Sequence, residues 1–299
     1  MKKKSILITF SCWIFMLPTL ILYGLFQGWP LLMSVYYSLL DWSGIGKEKT
    51  FVGLQNFIEL LKDEYFWNAY KNSFVFAAGT VPLLLVISLA TALVLNQATL
   101  KAASLYRTAI FMPIVTTAST IGVLMVFILG ANGPVNHILQ NLGLLNRPIS
   151  WLSDTDTALF TAMLVYVWKN LGTSLIYWLT ALQVVPRDVL EASKIDGANR
   201  FQSFRYITIF YILPIGAVIA LLNIAGALRS FDLIQTMTGG GPFFKTDVVS
   251  TYIYRYAFSS EMGLPRLGYA SAAGILFGIT IILIALVQYV LTNRLKRTQ

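Results

Sequence analysis

The stretch YILPIGAVIALLNIAGALRSFDLI, Tyr211 to Ile234, decides the fold class, because its first eighteen residues carry no charge. A helix rises about 1.5 Å per residue, so about 20 apolar residues cross a hydrocarbon core about 30 Å thick. Five further blocks of this kind flank it: Ile6 to Trp29, Ser73 to Leu95, Ile110 to Gly130, Ala158 to Val185, and Tyr269 to Leu291. Alternating strands of about ten residues, the mark of a membrane barrel, do not occur. The sequence predicts an all-α integral membrane protein: one domain over residues 1–299, with six transmembrane helices at about 6–29, 73–95, 110–130, 158–185, 211–234 and 269–291.

Composition agrees. Hydrophobic residues make up 57% and charged residues 12%, against roughly 25% charged in a soluble domain, which leaves too little polar surface for water. The net charge of +9 is not a nucleic-acid signal, because no basic patch with interleaved aromatics stands in a soluble domain. The basic residues cluster instead as Lys2, Lys3 and Lys4; Lys101 and Arg107; Arg187, Lys194, Arg200 and Arg205; and Arg294, Lys296 and Arg297. With six spans all four clusters fall on one side. The positive-inside rule makes that side, and both termini, cytoplasmic.

Cys12 is the single cysteine, so no internal disulfide forms. The first apolar run is too long for a signal peptide and lacks a small-x-small cleavage site. His137 has no nearby cysteine or carboxylate partners, so no metal site is expected. Trp29, Tyr36, Tyr37 and Trp42 fit an outer aromatic belt. The segment after them reads either as short surface helices or as a solvated connector. Gly239-Gly240-Gly241-Pro242 marks a turn, and Ala270, Gly274 and Gly278 form a small-residue stripe suited to helix packing.

The inner loop between the fourth and fifth spans, residues 186–210, carries the most information. It begins Pro186-Arg187-Asp188-Val189-Leu190-Glu191-Ala192-Ser193-Lys194-Ile195-Asp196-Gly197-Ala198-Asn199-Arg200-Phe201. Pro186 suits a first turn, Asp188 and Glu191 complement a helix N-terminus, and Gly197 ends the helix. The expectation is helix, glycine break, helix: a charged knuckle outside the bilayer.

Glu191-Ala192-Ser193-x-x-Asp196-Gly197-Ala198, followed by Phe204-x-x-Ile207-x-Ile209, resembles the EAA signature of ABC-importer permeases. Ser193 stands where the family has alanine, and Phe210 where it has a first proline; Pro214 matches the second. Phe51-Val52-Gly53-Leu54-x-Asn56-Phe57, Tyr106-Arg107, Pro113, Gly133 with Asn136, Trp168-Lys169-x-x-Gly172, Leu182-Gln183, Phe231-Asp232-Leu233 and Thr238-Gly239-Gly240-Gly241-Pro242 extend the likeness to carbohydrate-type permeases.

The resemblance implies a type I ABC-importer permease fold in a bacterial or archaeal cell membrane and a non-catalytic pore subunit. It further implies a heterodimer with a second permease, two cytoplasmic ATPases that bind ATP and Mg, and an external solute-binding protein delivering a sugar. Glu191, Ala192, Ser193, Asp196, Gly197 and Ala198 would then meet the ATPase. The chain has no Gly-x-x-x-x-Gly-Lys-Ser/Thr phosphate loop and no hydrolase or zincin motif, so no cofactor is expected on it.

Span four offers Lys169 at membrane depth, where an ionisable residue is a functional hypothesis by default. It reads either as a pore-facing ligand for substrate or as a cation paired between spans. Asn170, Thr173 and Tyr177 share one helix face, and span five adds Asn223; these are the expected substrate-path residues. Arg229 and Asp232, three apart, are expected to pair with each other. The reading from another class is a stand-alone ion-coupled transporter. It lacks midplane carboxylates, since only Asp232 lies within a span.

Overall fold

A computed structural model describes residues 2–96, 102–259 and 263–297, and for 2–12, 291 and 293–297 the backbone alone. Lys101, part of the second basic cluster, lies outside the described residues. The chain divides into two compact units: residues 1–63 with 253–277, and residues 64–252 with 278–299.

In the first unit, α1 (Lys2–Tyr23) passes through a widened turn at Gly24–Gly28 into α2 (Trp29–Ser38). The apolar stretch Trp13–Ser38 is long enough to cross a bilayer. A two-stranded antiparallel hairpin follows, β1 (Leu40–Asp41) against β2 (Thr50–Phe51), and then amphipathic α3 (Gln55–Lys62). Of the two readings of this segment, a short amphipathic helix, not a plain connector, is the one formed. Asn56 is buried and its amide donates to Ser38 O and Leu40 O, both at 2.9 Å. The Val-Gly-Leu-x-Asn motif thus ties α3 to the end of α2. Arg266 grips Glu59 with both guanidinium nitrogens, at 2.5 and 2.7 Å, and holds that carboxyl below its ordinary value.

The second unit is built on α4 (Glu64–Leu95), α8 (Ala158–Leu182) and α11 (Ile209–Leu228). Their shared core joins Ala92 and Leu95, Leu175, Trp178 and Leu182, and Ile212 and Ile219. Among lipid tails as apolar as leucine, close packing rather than water exclusion stabilises such contacts. Leucine, isoleucine and small residues dominate accordingly. Gly172 of the Trp-Lys-x-x-Gly motif lets α5 (Ala103–Val115) lie on α8; a Cβ there would stand 2.9 Å from Ile110 O.

The third apolar block differs from its expected form. It is not one straight span over 110–130 but two helices, α5 and α6 (Ala118–Ile128), bent by 97°. Thr116 and Thr117 are extended, and the Thr117 hydroxyl caps α6 by accepting from Thr120 N at 3.2 Å. Threonine is weakly polar, so it breaks a helix without breaking the hydropathy signal. Among the described residues there are therefore five continuous helices long and apolar enough to cross a membrane, and up to six spans if the bent pair counts as one.

Helix α6 rests on α12 (Asp232–Met237) through Gly122, where a Cβ would come within 1.8 Å of Thr236 Oγ1 and 3.3 Å of Leu233 O. Gly122→Val has no room unless α6 and α12 separate. We expect at least fivefold less folded protein in detergent by size-exclusion yield, with Gly122→Ala intermediate. A wild-type yield from Gly122→Val would contradict this packing.

Between α6 and α8, α7 (Pro134–Asn141) is held by Asn136. That side chain donates to Gly130 O, Ala131 O and Ile149 O, and accepts from Ile149 N and Trp151 Nε1. After α12 come α13 (Val249–Phe258) and α14 (Leu267–Arg297), parts of which belong to each unit.

Candidate functional site

Helix α8 ends at Leu182, and Pro186 turns the chain into α9 (Arg187–Ile195). Ala198 N donates to Ser193 O at 2.9 Å and Gly197 N to Lys194 O at 3.1 Å. This reciprocal pair ends a helix on a left-handed residue, and Gly197 has φ +80°. Asn199 then opens the next helix with a capping box: its Oδ1 accepts from Gln202 N, and Gln202 Oε1 accepts from Asn199 N, both at 2.8 Å. Helix α10 (Arg200–Ser203) runs through a widened turn at Phe204–Thr208 into α11, giving 29 continuous helical residues from Arg200 to Leu228. The absent proline at Phe210 leaves the helix unbroken there.

Two features stiffen the loop. Ser193 Oγ lies 2.9 Å from Ser203 Oγ and donates to Leu190 O at 2.8 Å, tying α9 to α10. Leu190, Phe204 and Ile207 pack against the Trp178–Ile212 core, so a force on the loop reaches α8 and α11 together. Outward it presents Glu191, Ala192 and Asp196, all exposed, beside two bare apolar side chains, Ile195 at 87% and Phe201 at 73% exposure. The charge was legible in the sequence; the apolar pair and the serine tie were not read from it. The Asn-x-x-Gln spacing was a visible signal for the second helix start.

The expected path residues fall differently. Asn223 Nδ2 donates to Ser174 Oγ at 3.2 Å, and Ser88 Oγ donates to the same oxygen at 2.9 Å. Ser88 and Ser174 are fully buried, so this chain of hydrogen bonds joins α4, α8 and α11. Asn170 spends its amide on Tyr166 O at 2.8 Å in its own helix. Lys169 and Thr173 are half-buried and Tyr177 is 37% exposed. No hydrogen bond among the described residues joins Asn170, Thr173 or Tyr177 to Asn223.

Arg229 and Asp232 do not pair. Helix α11 ends at Leu228 and α12 starts at Asp232, so the three-residue spacing no longer puts them on one face. Nor does Lys169 form an ion pair with any described residue. Among the described residues no group of His, Cys, Asp and Glu is placed to hold a metal ion.

A model of the family "binding-protein-dependent transport system inner membrane component" matches residues 74–297. The chain belongs to that family. It is 32% identical over 278 residues to the probable ABC transporter permease protein YurN of Bacillus subtilis, covering 92% of this chain and 94% of the relative. With the lactose transport system permease protein LacF of Rhizobium radiobacter it shares 30% over 279 residues, 93% of this chain and 92% of the other. Among solved structures, a permease chain of a bacterial alginate ABC transporter, crystallised with a periplasmic protein carrying an alginate pentasaccharide, superposes with a TM-score of 0.84. Identity is 25%, and the match covers 97% of this chain and 96% of that one. The fold is that of ABC-importer type I permeases. The Glu191–Ala198 knuckle lies within the matched residues and is built as two short helices, capped on both sides of Gly197.

Proposed function

We propose that this permease forms one half of the pore of an ATP-driven importer for a sugar or oligosaccharide. A second, related permease completes the pore. Two cytoplasmic ATPases supply ATP and Mg chemistry that this chain lacks the motif for. A solute-binding protein delivers the sugar from outside. The observation that carries the reading is the loop at 186–208: a knuckle fixed by two caps, bearing acid and bare apolar side chains, whose back packs on α8 and α11. Such a part transmits motion and gains nothing from staying in water. The relatives named for lactose and alginate transport support the substrate class. The clustered Lys and Arg support a cell-membrane placement with both termini and this loop cytoplasmic, residues 1–299 forming one permease domain.

Mild affinity purification from native membranes should recover a second permease and an ATPase. Uptake in cells should collapse on ATP depletion and survive an ionophore. Survival of uptake without ATP, and its loss with the ion gradient, would replace this reading with an ion-coupled transporter.

Along the path we assign Lys169, Asn170, Thr173 and Tyr177 on α8 to the substrate side, and Asn223 to the inter-helix tie that orients α11 beside them. An unpaired buried polar contact costs about 1–3 kcal/mol. Asn170→Ala with Tyr177→Ala should therefore slow uptake about tenfold or more while the complex still assembles. Normal uptake by the double variant would take this face out of the path.

A further inference from the structure

A groove of about 390 Å³ runs between α5 and α8, both within the second unit. From α8 it takes Gly172, Leu175, Ile176, Leu179, Thr180 and Gln183, a stripe at three- and four-residue spacing that is roughly 16 Å long by helical rise. Along that stripe the apolar side chains come first and the polar ones last, at the end of α8. From α5 come Arg107, Thr108 and Phe111. Phe111 lies against Gly172, where a Cβ would stand 3.0 Å from its Cα. Arg107 is one turn nearer the start of α5, and its Nη2 donates to Leu95 O at 2.9 Å. Leu95 closes α4 and shares a buried core with Leu182. The guanidinium, Thr180 and Gln183 therefore stand at one end of the groove, and the apolar lining runs away from them.

No carboxylate of these helices answers the cation. Residues 65–153 and 157–187 contain no Asp or Glu, and Arg107 forms no ion pair with a described residue. The bond to Leu95 O occupies one of five guanidinium N–H groups; the others have no partner among the described residues. The Gln183 side chain is exposed and makes no hydrogen bond with them either. Both threonine hydroxyls donate back into their own helices, to Ser104 O and Ile176 O, each at 3.0 Å. The polar end thus offers donors and positive charge. Phosphate oxygens complement both, whereas an ammonium group would find no acid there. A soluble anion would match that end alone and leave Phe111 and Ile176, both exposed, uncovered. A molecule with a phosphate head and an apolar chain matches the whole groove.

We propose that this groove holds an anionic phospholipid of the inner leaflet, its phosphate at Arg107 and the Gln183 amide and one acyl chain along Phe111 and Ile176. The cytoplasmic leaflet carries the anionic lipids that basic pockets between helices recruit. Bound there, the lipid joins the ends of α4, α5 and α8 through a single guanidinium. The proposal needs the cytoplasmic placement of these helix ends and is independent of what the permease carries.

The test uses the whole purified complex in phosphatidylcholine vesicles with a trace of phosphatidylglycerol bearing a diazirine in one acyl chain. After illumination, labelled peptides are mapped by mass spectrometry, relative to label on the rest of the chain. Label is expected within residues 108–111 and 175–179. Replacing about one-third of the phosphatidylcholine with unlabelled phosphatidylglycerol should cut it about fivefold or more. The same share of phosphatidylethanolamine, or added inorganic phosphate, should not. Gln183→Glu sets a carboxylate beside the phosphate without removing a described hydrogen bond. It should lower the label about fivefold, the worth of one charge at an anionic surface. Arg107→Gln should do the same, and Arg107→Lys should retain most of the label. Absence of label from these residues, equal competition by phosphatidylethanolamine, or competition by inorganic phosphate would overturn the lipid site. So would unchanged label in Gln183→Glu. Cross-linking of an unlabelled groove to a second permease, through a photoreactive residue placed at 176, would make it a protein interface instead.

Discussion

Gly197→Pro is expected to leave the permease in the membrane and to abolish import. Gly197 has φ +80°, and proline fixes φ near −65° without an N–H, so both the turn and the bond to Lys194 O are lost. The backbone can only respond by unwinding the end of α9 or by re-aiming it. Because Leu190 and Phe204 anchor the two arms on the bundle core, the exposed face with Glu191, Ile195 and Asp196 is what moves. A graded series sharpens the test. Asparagine tolerates the left-handed region, so Gly197→Asn should retain most uptake; alanine costs about 1–2 kcal/mol there and should be intermediate. A Cβ at 197 meets nothing within 4 Å, so any loss in Gly197→Ala reports backbone conformation, not a clash. Glu191→Ala acts differently. If its carboxylate pairs with a basic residue in the ATPase, removal costs about 2–5 kcal/mol of docking, read as ATPase lost on purification. Sugar binding by the separate binding protein should not change in either variant. Normal complex yield and normal ATP-driven uptake from both Gly197→Pro and Glu191→Ala would remove the loop from the coupling role.

The same residues show what a sequence can tell and where it stops. Gly197 was readable because a helix end that must turn left-handed admits few residues, and the local chemistry contains the whole cause. The apolar blocks were readable for a similar reason: a bilayer demands length and hydropathy, both one-dimensional. The bend at Thr116–Thr117 was hidden, since its cause is a side-chain cap that hydropathy does not register. The polar path was harder still. Helical spacing tells that Asn170, Thr173 and Tyr177 share a face, but not which face meets a neighbour. Ser88, Ser174 and Asn223 lie on three helices, and their contact depends on how those helices pack. Arg229 and Asp232 show the converse, two residues at pairing distance along a helix that ends between them.

Sided cysteine labelling should give an all-or-none pattern, and the bent pair α5–α6 makes it decisive. Helix α5 has 13 residues, about 20 Å of rise, too short by itself for a core of about 30 Å. If α5 and α6 together cross, Ser153 and Lys245 lie outside and Lys194 inside. All three are exposed, whereas Thr246 is fully buried and would be a poor reporter. In a Cys12→Ser background, Ser153→Cys and Lys245→Cys should then react in intact cells with an impermeant maleimide. Lys194→Cys should react only after permeabilisation. If the pair does not cross, every segment after it inverts. Lys194 would label from outside, and Arg187, Lys194, Arg200 and Arg205 would all face outward, against the positive-inside rule. That charge count is why the six-crossing arrangement is expected. It also places the Glu191–Ala198 knuckle on the only side where ATP is found. External labelling at residue 194 would remove the loop from reach of any ATPase and overturn the coupling assignment with the topology.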